Sequence, residues 1–263
     1  MLENLQYRLL LRRDGTQRSH DATYSGKSKL QRLLGQDIFE RIRGKVVVDF
    51  GCGYGDETIE LGKNGARRAV GLDIRDDVLE TAREKALALP NVSFAKPEQC
   101  AAGFADAIIS LDGFEHFAHP AAALDLMYDL LAPGGEVLVS FGPPWLHPLG
   151  GHAFSVFPWS HLLLSERALC RWYNEKHGTR ISRFEDVSGG LNRMTIASFE
   201  RVVAAARLST VSITCIPIRA LKRLHNRYTR EYTTSVVTCV LRKPALPRAM
   251  NSSLGSRSSL VQR

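Results

Sequence analysis

The stretch that most restricts this chain is the junction at residues 45–56, where the run Lys45-Val46-Val47-Val48-Asp49-Phe50 stops at Gly51-Cys52-Gly53-Tyr54-Gly55-Asp56. Branched side chains favour a pleated, buried strand. Three alternate glycines then permit positive φ and bring bare peptide groups within reach of a ligand at the carboxyl end of that strand. A helix-length segment with Ile59 and Leu61 leads into a second short run at 68–73. Strand, helix and strand in that order predict a βαβ unit.

The alternation continues. Leu30, Leu33, Leu34, Ile38 and Ile42 recur at helical spacing and predict one amphipathic helix ending at Gly44. A helix over 76–89 is stopped by Pro90, and strands are expected at 92–95, 106–111 and 136–141. A helix over 120–131 begins on a proline and precedes Pro133-Gly134-Gly135. After Phe141 the pattern dissolves into a segment rich in Pro, Gly, His and Trp, running to about residue 193 with a helical middle at 165–176; it reads as an inserted cap. Regularity returns with a helix over 195–206, a strand over 209–216, a helical stretch over 218–228 and a last strand over 233–241. Residues 1–26 are polar and show no sustained period. The expected fold is a doubly wound, mostly parallel α/β sheet with helices on both faces.

The glycine spacing is G-x-G-x-G, whereas the dinucleotide fingerprint places its third glycine one residue later, so nicotinamide dinucleotide binding is disfavoured. Asp73 ends the second strand, 22 residues after Gly51, where a carboxylate can accept from both hydroxyls of a ribose lying across the sheet edge. A purine nucleoside ligand is favoured.

With these residues in view, the chain resembles the class I S-adenosylmethionine-dependent methyltransferases, over about residues 28–141 and more loosely in the final helix, strand and strand. The resemblance rests on Val47-Val48-Asp49-Phe50-Gly51-Cys52-Gly53-Tyr54-Gly55-Asp56, on Asp73 followed by Ile74, on Phe104-Ala105-Asp106-Ala107-Ile108-Ile109-Ser110 and on Leu130-Leu131-Ala132-Pro133-Gly134-Gly135. It implies a seven-stranded sheet whose last strand is antiparallel and lies between strands five and six. It also implies S-adenosyl-L-methionine as cofactor, held by Asp49, Gly51, Cys52 and Gly53 on the methionine side, by Asp73 and Ile74 at the ribose, by Glu98 at the adenine, and by Leu111 at the end of strand four. Residues 1–27 are expected to form an amino-terminal lid with Lys27 near the methionine carboxylate, 28–243 the methyltransferase domain with its cap at about 142–193, and 244–263 a disordered basic tail.

Methyl transfer from a sulfonium is an in-line displacement that depends mainly on alignment. A hydroxyl acceptor must also lose a proton, a task suited to histidine. His116, in the segment Leu111-Asp112-Gly113-Phe114-Glu115-His116-Phe117, is the first catalytic candidate, and His152 in the cap the second. The cap's His147, His152 and His161 lack the helical spacing of zinc sites, so no metal is expected. Gly142-Pro143-Pro144-Trp145 stands after strand five and lacks a side-chain amide, which argues against methylation of a nucleobase nitrogen.

Composition settles the remaining classes. The chain is 44% hydrophobic and 24% charged, which suits a packed core, and it contains no apolar run of membrane-spanning length. Five cysteines without a C-x-x-C pair read as reduced thiols of a cytoplasmic protein. The net charge of +8 is local: residues 216–263 carry ten Lys/Arg against one Glu. The expected activity is methylation, at oxygen, of a small-molecule or lipid-like acceptor. RNA methylation, suggested by the basic tail, and a cofactor-binding scaffold without catalysis are the alternatives. Arg219, Lys222, Arg223 and Arg227 are candidates for peripheral contact with an anionic membrane.

Overall fold

The strands β1 (Val46–Phe50), β2 (Arg68–Leu72), β3 (Val92–Ala95), β4 (Ala105–Leu111), β5 (Leu131–Phe141), β6 (Ser209–Pro217) and β7 (Thr234–Arg242) form one sheet in the order β3-β2-β1-β4-β5-β7-β6. The computed structural model describes residues 2–11 and 28–245. The first five strands pair in parallel, and β7 runs antiparallel to both β5 and β6. The carboxyl ends of β1, β2, β4, β5 and β6 therefore meet along one edge, where chain order reverses between β1 and β4. In open α/β sheets ligands bind at that point.

Helices α1 (Leu2–Leu11), α2 (Lys29–Leu34), α3 (Ile38–Ile42), α4 (Asp56–Lys63), α5 (Asp76–Lys85) and α6 (Pro120–Leu130) precede or connect the parallel strands. Between β5 and α9 (Ile196–Ala205) lie α7 (Ser160–Leu163) and α8 (Glu166–His177), and α10 (Arg230–Thr233) leads into β7. One sheet face is buried by α6 and α9 through Leu124, Met127, Leu130, Phe199 and Val203 against Val48, Val139 and Phe141. The other is buried by α2, α3 and α4 through Leu30, Leu33, Ile38, Ile42 and Leu61. At roughly 25 cal/mol per Å² of apolar area removed from water, these two layers are the main source of stability.

Several local expectations shift. The expected single helix before β1 is two, α2 and α3, broken at Gly35, whose φ of +110° ends α2 while the apolar spacing carries on across the break. Helix α5 stops at Lys85, and the following turn leaves Leu87 exposed. β5 begins at Leu131, five residues ahead of the expected strand, through an irregular register beside Ala105 and Ala107. The stretch 218–228 forms a 3-10 turn at Arg219–Leu224 in place of a longer helix. The aperiodic amino-terminal segment contains α1, which packs on α8: Tyr7 and Leu10 join Phe154, Leu169, Trp172 and Phe184 in a separate apolar cluster. Gln6 accepts from Ser165, and the Arg171 guanidinium stacks on Tyr7. The expected lid contact of Lys27 and the tail from residue 246 onward lie outside the described residues.

Candidate active site

The chain leaves β1 and reverses over residues 51–55 at the carboxyl edge. The amides of Gly51 and Cys52 both donate to Leu72 O, at 2.8 and 3.0 Å, which fastens the loop to the end of β2. Gly51, Gly53 and Gly55 all adopt positive φ. At Gly55, the amino cap of α4, an added Cβ would stand 2.5 Å from the Phe94 ring, so only glycine fits. At Gly53 an added Cβ would meet nothing within 4 Å, which leaves the backbone open there.

Asp73 follows β2 and grips this loop: Oδ2 accepts from Gly53 N and Oδ1 from Arg75 N, each at 3.0 Å. Each carboxylate oxygen retains acceptor capacity after one hydrogen bond. Beside it Ile74 is 77% exposed, an apolar side chain left open at the same edge. Asp49 is buried and accepts from Thr58 Oγ1 at 2.7 Å. Burial, reinforced by the charge of Glu57, pushes its carboxyl up to about 7. Lys29 on α2 bridges the two sides of the site, 3.0 Å from Asp112 and 3.5 Å from Glu57.

The loop after β4 forms the opposite wall. Asp112 adopts φ +49°, and the Phe117 ring stands 3.5 Å from where a Cβ on Gly51 would lie. The segment before α9 holds this wall from outside. Asn192 Nδ2 donates to the carbonyls of Phe114 and Phe117, at 2.6 and 2.8 Å, and Asn192 N donates to Glu115 O at 2.9 Å. Glu115 is 2% exposed; its Oε1 accepts from Gly142 N at 3.1 Å, linking the loop after β4 to the end of β5. Its Oε2 is buried with no hydrogen-bond partner among the described residues. Burial, followed by the charge of Asp112, pushes the Glu115 carboxyl up to about 8, well above the usual carboxylate range.

His116 Nδ1 lies 2.7 Å from Gly190 O. A carbonyl oxygen only accepts, so Nδ1 bears the proton and Nε2 is the basic nitrogen. The His116 ring meets the His152 ring edge-on at 5.6 Å, and His152 holds φ +51° in a 3-10 turn. The two catalytic candidates, far apart in sequence, are thus neighbours. His147 and His161 organise their own segment instead: Leu149 N donates to His147 Nδ1, and His161 Nε2 lies 2.7 Å from Trp145 O.

Of the other expected site residues, Asp49, Gly51, Gly53 and Asp73 meet around one loop. The Cys52 thiol turns inward among Leu79, Ala82 and Phe94, where burial raises its pKa. Leu111 points its side chain into the core beneath α2 and α3, and Glu98 stands exposed on a 3-10 turn. Lys29, Glu115, Gly142 and Asn192 were not among the expected site residues, although Glu115 and Gly142 lay in segments already noted. Glu115 carried a detectable signal, an acid set among Phe114, Phe117 and the apolar end of a strand.

The parallel sheet with its antiparallel final strand, the glycine loop after β1 and the acid after β2 define a class I S-adenosylmethionine-dependent methyltransferase. The chain belongs to the methyltransferase domain family, whose model matches residues 18–212. It is 34% identical over 105 residues to the ubiquinone biosynthesis O-methyltransferase of Nitrosococcus oceani, covering 38% of this chain and 44% of that one. It is 33% identical over 102 residues to the ribosomal protein L11 methyltransferase of Burkholderia multivorans, covering 37% and 32%. The chain thus spans less than half the length of these curated relatives. A crystal structure of an S-adenosylmethionine-dependent methyltransferase from Mesorhizobium loti shares the fold at 16% identity, with TM-score 0.50 over 77% of this chain and 92% of that one.

Proposed function

We propose that this methyltransferase acts on the hydroxyl of a small, lipid-like acceptor, with His116 as the base. S-adenosylmethionine supplies an electrophilic methyl group on a sulfonium, and the residues present suit it. The open backbone at Gly53 suits the methionine portion, Asp73 the ribose hydroxyls, and the uncovered Ile74 the face of the adenine. Asp49, Glu57, Asp73 and Asp112, set against Lys29 and Arg75 among the described residues, also make a setting that favours a cation.

The observation that carries the oxygen reading is the fixed tautomer of His116. Its Nδ1 is committed to Gly190 O, so Nε2 is poised to take a hydroxyl proton as the oxygen attacks the methyl carbon. His152 lies against it and orients the ring or the acceptor. The ubiquinone-pathway relative supports an oxygen acceptor, whereas the ribosomal-protein relative is named for a protein acceptor.

Calorimetric titration with S-adenosylhomocysteine tests the cofactor half: binding is expected in the wild type and in His116→Gln, and a loss of roughly 100-fold in Asp73→Ala. The acceptor half is tested with labelled S-adenosylmethionine and a panel of phenols, amines and ribosomal protein. Transfer to phenols alone, lost in His116→Gln, supports the reading; transfer to an amine or a protein, or full activity in His116→Gln, overturns it.

A further inference from the structure

We infer that residues 216–232 form a docking surface for an anionic lipid bilayer. The segment joins β6 to β7. Because β6 runs parallel to β5 and Pro217 pairs with Thr234, the connection lies at the carboxyl edge of the sheet, on the side where the glycine loop opens. An added Cβ on Gly142, whose amide holds Glu115, would meet Ser235 O at 2.4 Å, which sets the foot of this connection against the end of β5.

Its side chains divide by role. The one acid, Glu231, accepts from Ile196 N and Ala197 N and so caps α9. Arg230 forms a two-pronged pair with Glu200. These two contacts pin the base of the segment to α9. Arg219, Lys222, Arg223 and Arg227 stand exposed, without an ion pair among the described residues. Between them Leu224 is 61% exposed, Tyr228 75% and Tyr232 47%, and Ile216 is exposed at the end of β6. Arg227 stacks on Tyr228, so even this pair presents a joint cationic and aromatic face.

Cations without an ion pair among the described residues, interleaved with exposed aliphatic and tyrosine side chains, match a charged headgroup layer over hydrocarbon: the cations meet phosphates, tyrosines sit at the boundary, and leucine enters the apolar layer. Single-stranded RNA would use the same cations and tyrosines, but it offers nothing to Leu224 and Ile216. The exposed aliphatic pair therefore favours lipid. A lipid-like acceptor would then be met at the edge of the sheet where the cofactor loop lies.

The experiment is co-sedimentation of the full chain with phosphatidylcholine vesicles prepared with and without phosphatidylglycerol, at low and high salt. S-adenosylhomocysteine binding is measured on the same preparations, so that a misfolded sample or a failed cofactor site is recognised separately. The wild type is expected to sediment with anionic vesicles at low salt and to remain in solution with neutral ones. Arg223→Glu combined with Arg227→Glu should weaken that binding roughly tenfold or more, because juxtamembrane cations contribute additively near an anionic surface. Leu224→Ser combined with Tyr228→Ser should weaken it while leaving the salt dependence in place. Absence of vesicle binding, or binding unchanged in both double variants, overturns the inference. So does a result in which single-stranded RNA, added as competitor, displaces the protein from vesicles by binding these same residues more tightly.

Discussion

The two ends of the sheet are built on different terms. Around β1, β2 and β4 almost every residue is buried, and at the edge the fixed backbone of the glycine loop is joined by a few side chains, Asp73, Asp112 and His116 among them. At the far end β6 leaves six of its nine residues exposed, and what reaches the edge is a set of charged and aromatic side chains. A ligand shared by many enzymes can be held by peptide groups that any sequence provides. Side chains carry what peptide groups cannot, and here they stand both beside the glycine loop and at the loosely packed end.

The largest expected effect comes from breaking the rigid end. Gly55→Val places a branched side chain at φ +78° against Phe94 and Ala82. A loss of about 3 kcal/mol or more is expected from the left-handed conformation and the overpacking together, read as a fall in the denaturant midpoint.

The acidity of the rigid end gives the next effect. Glu115 is raised from 4.5 to about 8 and Asp49 from 3.8 to about 7. The folded chain holds protons that the unfolded chain releases, so their contribution is complete below the unfolded values and is lost as pH rises to about 7 and 8. Thermal melts should show stability falling by several degrees across that window, and Glu115→Gln, neutral throughout, should flatten the upper part of the curve. An unchanged slope in that variant would mean that Glu115 is already ionised in the folded protein.

At the loose end Glu231→Ala should remove two hydrogen bonds from the first turn of α9 and cost about 1–2 kcal/mol, seen as faster amide exchange in that helix. The smallest effect is expected from Val211→Thr on exposed β6, within about 0.5 kcal/mol in the same melts.

The legible parts of the chain are those whose structure is decided nearby. The strands around β1 and the loop at residues 51–55 follow from branched runs and glycines, and the spacing from Gly51 set Asp73 at the same sheet edge, though its bond to Gly53 N was not foreseen. Helix α1 was not legible, because Tyr7 and Leu10 are ordered by α8, more than 150 positions away, rather than by a local period. The break at Gly35 was hidden because the apolar repeat resumes in phase after it. The pairing of His116 with Gly190 and His152 joins three segments across loops, and no periodicity encodes such a meeting.

The sheet order also carries a consequence for synthesis. Among the described strands β6 hydrogen-bonds only to β7, which is made after it, and β7 is what joins it to β5. On the ribosome the glycine loop and its neighbouring strands can therefore assemble while β6 waits as an unpaired edge. Until residues 234–242 emerge, that edge is available to other chains, which makes the interval between the sixth and seventh strands the moment at which a chaperone would matter most.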